Sequence, residues 1–491
     1  MKFKKGFLLV VLFLMVALIS GCGGGGGKSD VTPVKPETDY GPFKSLTLGS
    51  EINVRDYSES GKSIYTLVTA IPSYKPEANV APSIIYPISL VTSAFDSTVG
   101  SQYRSLFYSN FNPVMSRLYN QVVKDNSFRE LENNLLAKRS RQLSKSNNIN
   151  FSVVSPSIGS EWKGLHIQSI ATGYWTKIDA TCLYISKHGI FYVDNRDISK
   201  IHSRIVQYGD VFDRIYQINR EKFGQENDVD GNGKIIIVIS QEITNGTLGY
   251  FNAGDKYSSS DYKFSNQGDI IYITSDLYDT DIVFGAIAHE FQHMIYFDEH
   301  YNRGTTALLT WLNEALSQAA EYYNGFLTSH TLWMQHFLAR GWMQLSLTHW
   351  TQENYGYGAL FIRYIIDQFG DSVIKKMCAT DKVGIMAVEQ ATGVDFNIIF
   401  KYFSRALVLI GTSEDCSPHY RFTSLDVNML QPLGRKGLLP YDTCKAGDSI
   451  VGSNGEGFYP YMITFDKWIG NMDKIVLNGQ YLEGTVFGLS E

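Results

Sequence analysis

The chain is poor in cysteine, with five in 491 residues and none in a CxxC spacing, which argues against a cysteine-ligated zinc site. Four of them, Cys182, Cys378, Cys416 and Cys444, lie beyond Cys22. Export would permit disulfides, and Cys416 with Cys444 is a reasonable pair, although four cysteines allow three connectivities or none. Basic charge is also scarce: 43 Lys and Arg stand against 49 Asp and Glu, so nothing points to nucleic acid as a partner. No internal repeat is evident. The apolar run from Phe7 to Leu18 is too short and wrongly flanked for an ordinary membrane-spanning helix. What is plentiful is core material: 44% apolar and 13% aromatic residues, enough for sizeable cores in two to four domains.

That short apolar run has another reading. Lys2-Phe3-Lys4-Lys5 forms a positive n-region ahead of it, and Ile19-Ser20-Gly21-Cys22 then resembles the bacterial lipobox. Cleavage before Cys22 would leave that thiol to carry diacylglycerol, with an acylated amino group adding anchorage of the palmitate type. Losing the three lysines takes the mature net charge from −6 to nearer −9, 40 basic against 49 acidic residues. Gly23 to Gly27 and the Pro- and Thr-containing stretch after them read as a flexible stalk. These features predict a bacterial envelope lipoprotein facing outside the cytoplasm, held to a membrane by lipid at Cys22.

The most informative stretch is His289-Glu290-Phe291-Gln292-His293. On a helix, residues four apart share a face, so His289 and His293 can reach one metal and Glu290 can serve as general base to a water on it. The spacing predicts a helix over 279–297, with Thr280 or Asp281 near its N-cap. Phe284, Ile287, Ala288, Phe291 and Ile295 form its core stripe. A catalytic zinc normally takes three protein ligands, and Glu314, on a second predicted helix over 311–323, can face the two histidines across a loop of about ten residues.

HExxH followed by NExxS resembles the gluzincin metallopeptidases, and HEFQHMI with WLNEALSQAAE looks most like their hyicolysin-like family. The resemblance implies zinc held by His289, His293 and Glu314, Glu290 as base, and a thermolysin-like catalytic domain. It also makes Tyr355 the first choice and Tyr357 the second as oxyanion donor beside the metal. Gln318 stands where better-known relatives carry an Asp that orients a ligating histidine, so the orienting group is left open.

Elsewhere, Ala180 to Ile185 and Gly189 to Val193 read as paired strands, Ile198 to Phe223 as a helix, and Lys234 to Ile239 and Asp269 to Ile273 as further strands. Asp228-Val229-Asp230-Gly231-Asn232-Gly233 looks like the first half of a calcium loop, with Asp228, Asp230 and Asn232 as oxygen donors. Ile239 occupies its twelfth place, where a bidentate Glu is expected. Residues 101–144 read as helical, and the basic run at their end, Lys138-Arg139-Ser140-Arg141, reads as a solvated helix face or connector rather than a binding patch.

The expected fold class is α+β: a gluzincin (thermolysin-like) catalytic domain with a β-rich N-terminal half and an α-helical C-terminal half, flanked by small β-rich modules. The expected segments are signal peptide 1–21, stalk 22–44, β-rich module with helical connector 45–160, zinc peptidase domain 161–412 and C-terminal β-rich module 413–491. The expected activity is zinc-dependent hydrolysis of peptide bonds in a protein or peptide substrate, with internal cleavage favoured over exopeptidase action. The alternative is a non-catalytic surface binding lipoprotein built on a peptidase fold.

Overall fold

A computed structural model describes residues 43–46, 51–53, 62–71, 122–140, 156–170, 172–244, 247–276, 279–339, 346–350, 354–430, 443–445, 461, 463–469, 474–476 and 482–489. The lipobox with Cys22 and the glycine stalk lie outside these residues. Among them, no helix is long and apolar enough to cross a membrane.

Three short strands come first: β1 (Lys44–Leu46), β2 (Glu51–Asn53) and β3 (Ser63–Ala70). A helix α1 (Val122–Ser140) then precedes β4 (Glu161–Gln168), β5 (Trp175–Ile185) and β6 (Gly189–Asp194). A one-turn helix α2 (Ile198–Ile201) leads into α3 (Ile205–Lys222), followed by β7 (Ile235–Ser240), β8 (Gly249–Phe251) and β9 (Ile270–Thr274). Strands β4 to β9 form one mixed sheet in the order β4-β5-β6-β7-β9-β8. Its β6, β7 and β9 run parallel, and β8 returns antiparallel at the edge.

Composition explains the mixture. All six residues of β7, Ile-Ile-Ile-Val-Ile-Ser, are buried, as in strands covered on both faces. One face joins Ile236, Val238, Ile270 and Tyr272 to Leu165, Ile167 and Ile190. On the α3 side, Phe191 meets Phe212, which with Tyr216 contacts Phe291 of the next helix.

From there the chain is helical: α4 (Thr280–Asn302), α5 (Thr310–Tyr323), α6 (Leu327–Ala339), α7 (Asn354–Phe369), α8 (Ser372–Cys378), α9 (Gly384–Thr392) and α10 (Phe396–Leu409). The α+β class and the order of sheet before helices are thus as expected. The N-cap of α4 is Asp279, one residue ahead of the expected pair, and its carboxylate accepts from the Asp281 amide at 2.9 Å. Helix α7 begins five residues before the expected Ala359, which takes Tyr355 and Tyr357 inside it.

The flanks differ from the expected pair of separate modules. Strands β10 (Thr443–Lys445), β11 (Ile463–Ile469) and β13 (Leu482–Leu489) join β1 and β3 in one five-stranded sheet, β1-β13-β3-β11-β10. β12 (Lys474–Val476) pairs with β2. Strand β3 is central, with both neighbours drawn from the far end of the chain. Alternating patterns mark each strand locally but carry nothing about its partner.

Cys182, Cys378 and Cys416 are free thiols, so Cys416 is not paired with Cys444.

Candidate metal centre

Helix α4 is buried on almost every side, so its histidines face an interior cleft rather than solvent. His289 and His293 sit one turn apart, and α5 packs beside them with Glu314 directed between the rings. Glu314 Oε2 is 3.3 Å from His289 Nε2 and 3.5 Å from His293 Nε2. The three donors all lie within 4.8 Å of one another. Tetrahedral ligands about 2.1 Å from a zinc ion stand about 3.4 Å apart, so the two contacts to Glu314 already match the edges of such a site. The donor set, two imidazole nitrogens and one carboxylate oxygen, is also one that zinc accepts.

Each ring is held from behind. His289 Nδ1 is 2.9 Å from Glu321 Oε1, and His293 Nδ1 is 2.9 Å from Asn313 Oδ1. Such partners fix the tautomer and aim the other nitrogen at the metal. Glu321 is itself held by Gln318 Nε2 at 2.7 Å and by the Ser329 hydroxyl. The orienting carboxylate left open by Gln318 is therefore supplied by Glu321, seven residues after Glu314 and on the same side of α5. Gln318 supports it.

Electrostatics follow from this wiring. Burial opposes charging of His289, but the carboxylates of Glu314 and Glu321 outweigh it and hold its pKa well above the usual value. His293 lacks a second carboxylate; burial and the nearby Arg129 cation push it down to about 4. Burial would raise Glu314, yet His293, His289 and Arg129 together keep it well below the normal carboxylate range. The three groups titrate together, and a metal held by them competes with their protons.

Glu290 lines a small cleft with His289, Glu321, Gln318, Leu248, Ala286, Ser329, Trp333 and Tyr355. The edge strand β8 presses close to it. A Cβ on Gly249 would lie 3.1 Å from Glu290 Cγ and 2.8 Å from the Tyr272 carbonyl oxygen, so only glycine lets the strand approach this near. Tyr355, in the first turn of α7, reaches the same cleft with its ring centroid 6.1 Å from that of His289. Tyr357, the second choice, is corrected: its ring stacks on Phe337 at 4.4 Å, and it is fully buried as core. His300 bonds Thr305 at the end of α4, and His330 lies behind Gln318 at 3.3 Å.

In the basic run at the end of α1, Lys138 is exposed as expected, while one face of the middle of the helix is buried. Phe128 stacks on Tyr250 at 4.4 Å, and Arg129 and Glu132 are buried against α5. Arg129 Nη1 meets Glu132 Oε1 at 2.7 Å, and its Nε lies 3.6 Å from Glu314 Oε1. Their spacing of three residues fits an ordinary helical ion pair; the groups they meet beyond it, Glu314 and Asn313, are far away in sequence.

The loop at Asp228 folds as a tight Asx-rich turn: Asp230 Oδ1 accepts from the Asn232 amide at 3.0 Å, and Asn232 Oδ1 from the Lys234 amide at 2.7 Å. Asp228 and Asp230 converge with Asp269, which precedes β9 and comes from outside the loop. Asp269 also meets the buried ammonium of Lys256, which is 2.7 Å from Asp298. Burial pushes the Asp230 carboxyl up to about 7.

No family model matches the chain. It is 29% identical over 206 aligned residues to the neutral metalloprotease ShpI of Staphylococcus hyicus, with 34% of this chain and 44% of that protein covered. The chain therefore spans less than half the length of that relative. Among solved structures, the native yeast LTA4 hydrolase matches at 12% identity over 47% of this chain and 41% of its own, with a TM-score of 0.29. Aminopeptidase A of Legionella pneumophila in complex with aspartic acid matches at 14% identity over 50% and 27%, with a TM-score of 0.30. The M1 zinc metallopeptidase from Deinococcus radiodurans matches at 12% identity over 50% and 57%, with a TM-score of 0.27. Scores this low bear on neither the activity nor the substrate. The description of ShpI as a neutral metalloprotease agrees with the metallopeptidase likeness read from the two motifs.

Proposed function

We propose that the protein is a zinc-dependent peptidase of gluzincin type, with zinc held by His289, His293 and Glu314. One observation carries this reading: three buried donors within 4.8 Å of one another, each imidazole oriented from behind, stand beside a cleft lined by the carboxylate of Glu290. Zinc, when bound there, supplies Lewis acidity to the scissile carbonyl and lowers the pKa of a water. Glu290 takes the proton from the attacking water and returns it to the leaving amine. Tyr355 donates from its hydroxyl toward the developing oxyanion.

The test separates base from ligand. Glu290→Gln should retain about one zinc per chain yet lose ~10²–10⁴ or more in rate, because the same group serves two proton transfers. Glu314→Ala should lose both metal and activity. Hydrolysis by Glu290→Gln at the wild-type rate, or wild-type zinc retention by Glu314→Ala, would show that the roles are wrong. Peptide products from a complex mixture then distinguish internal from terminal cleavage.

Two further elements belong to the proposal. The lipobox supports anchoring through Cys22 in a bacterial envelope, outside the cytoplasm; Cys22→Ser should release soluble protein or leave precursor, and continued labelling of mature protein with lipid would refute it. The acidic turn supports calcium at Asp228 and Asp230, with Asn232 and the neighbouring Asp269.

A further inference from the structure

We infer that Arg129 and Glu132 of α1 are positioning residues for the metal ligands, so that a helix preceding the catalytic sheet is a working part of the centre. The inference rests on the zinc reading given above.

Two chains of contact run from α1 to the ligands. In the first, Arg129 Nε faces Glu314 Oε1 at 3.6 Å, the oxygen turned away from the two imidazoles, while Oε2 faces both rings. A guanidinium on one carboxylate oxygen leaves the other to the metal, which favours one-oxygen ligation and a four-coordinate site over a bidentate grip. In the second, Asn313 Nδ2 donates to Glu132 Oε2 at 3.3 Å, and Asn313 Oδ1 stands 2.9 Å from His293 Nδ1. Burial pushes the Glu132 carboxyl up to about 7 and the Arg129 cation favours its ionised form, which accepts from Asn313; the amide nitrogen of Asn313 turns toward it and the oxygen toward His293. That orientation puts the His293 proton on Nδ1 and leaves the Nε2 lone pair free for the metal. The link between Arg129 and Glu132, 2.7 Å, couples the two chains.

The arrangement is buried throughout: Arg129 is 5% exposed, and Glu132, Asn313 and Glu314 are each 1%. A buried ion pair is on its own weak evidence of a stabilising role, since desolvation offsets the attraction. What singles this one out is that Arg129 faces a ligand, Glu314, and Glu132 meets Asn313, which holds another, His293. The helix is also fixed in place. Asn133 bonds both the amide and the carbonyl of Leu308, at 2.6 and 3.2 Å, just ahead of α5. Phe128 stacks on Tyr250, next to the Gly249 that abuts Glu290.

The experiment uses the full chain and four variants: Arg129→Gln, Glu132→Gln, the double variant, and Arg129→Lys. The readouts are zinc content, the rate of zinc loss to excess chelator, the visible spectrum of the cobalt-substituted protein, and the melting temperature. Arg129→Gln should lose zinc ~10–100-fold faster, the range for loss of an outer partner of a metal ligand, and alter the cobalt bands. It leaves Glu132 buried without its cation, so it should also melt lower. The double variant removes both charges and should recover much of the melting temperature while still losing zinc fast. Arg129→Lys should restore part of the zinc retention. If the double variant holds zinc and shows cobalt bands like wild type, the pair is structural only and the inference is overturned; this variant decides even if Arg129→Gln fails to fold. Zinc loss that merely tracks melting temperature across the four variants overturns it as well. Wild-type protein that takes up no zinc would defeat the peptidase reading and this inference together, an outcome distinct from wild-type zinc binding with no change in the variants.

Discussion

Glu321 offers the sharpest quantitative test of the centre, because three donors end on its carboxylate and each substitution removes a definable subset. His289 Nδ1 and Gln318 Nε2 both reach Oε1, at 2.9 and 2.7 Å, and the Ser329 hydroxyl reaches Oε2. In Glu321→Gln the amide oxygen can take the Oε1 place and accept from both His289 and Gln318. Its NH2 then faces Ser329, whose hydroxyl can rotate to accept. Only the charge is lost, so zinc affinity should fall toward the lower end of the ~10–100-fold range, about 1.4 kcal/mol for tenfold. In Glu321→Ala, His289 and Gln318 lose their shared acceptor in a buried site, and a stranded donor costs ~1–3 kcal/mol. That variant should reach the upper end or beyond. Competition with a chelator of known affinity measures both constants, and peptide hydrolysis at saturating zinc separates metal loss from impaired chemistry. The order wild type, Gln, Ala is the prediction. Wild-type affinity in both variants, or a Gln variant weaker than the Ala variant, would refute the orienting role.

Two other outcomes follow from the site. Tyr355→Phe removes the hydroxyl and should lower kcat by ~10²–10³ with KM little changed, as for one oxyanion donor; an unchanged kcat would return Tyr355 to a packing role against Trp333 and Trp350. Calcium binding, if it uses Asp230, must ionise a carboxyl that burial has pushed up to about 7. Without the ion, a raised carboxyl contributes stability below its unfolded pKa of ~3.9 that is lost as pH rises through about 7. With the ion, binding reverses the trend, so the calcium-induced rise in melting temperature should grow from pH 6 to pH 8. It should vanish in Asp230→Asn. Identical curves in calcium and in chelator at pH 8 would rule out the site.

What could be read from the chain was what is local. His289, Glu290 and His293 lie within one turn and a half of helix, and Glu314 sits on the next helix. Their geometry follows from the helical repeat plus one packing step. Glu321 stands two turns beyond Glu314, but nothing in its spacing distinguishes a carboxylate aimed at a histidine from one in solvent. Its role becomes visible once α4 and α5 are packed together. Arg129 and Glu132 carried no signal beyond their helical spacing, since burying a charged pair on a helix of mixed polarity contradicts the composition and is decided by Glu314 and Asn313, far along the chain. Tyr355 and Tyr357 show the same limit from the other side. Two residues apart on one helix, they point to opposite environments, and the boundary of α7 decides which one sees the cleft.

The pairing of β3 between β11 and β13 has a consequence for how the molecule is made. Leu482 opposes Ala70 and Ile463 opposes Thr69, so the strand at the start finds its partners roughly 400 residues later. Strand β3 emerges early, and its two edges stay bare until β11 and then β13 have been delivered. Closing so long a loop costs little more than closing one half its length, so the delay is a matter of kinetics rather than of final stability. A chain stalled or clipped before Leu482 would present an unfinished sheet at the moment its catalytic helices were already assembled, and protease action or self-association at β3 would then mark it as incomplete. Delivery of β13 is thereby registered at β3, far upstream of it.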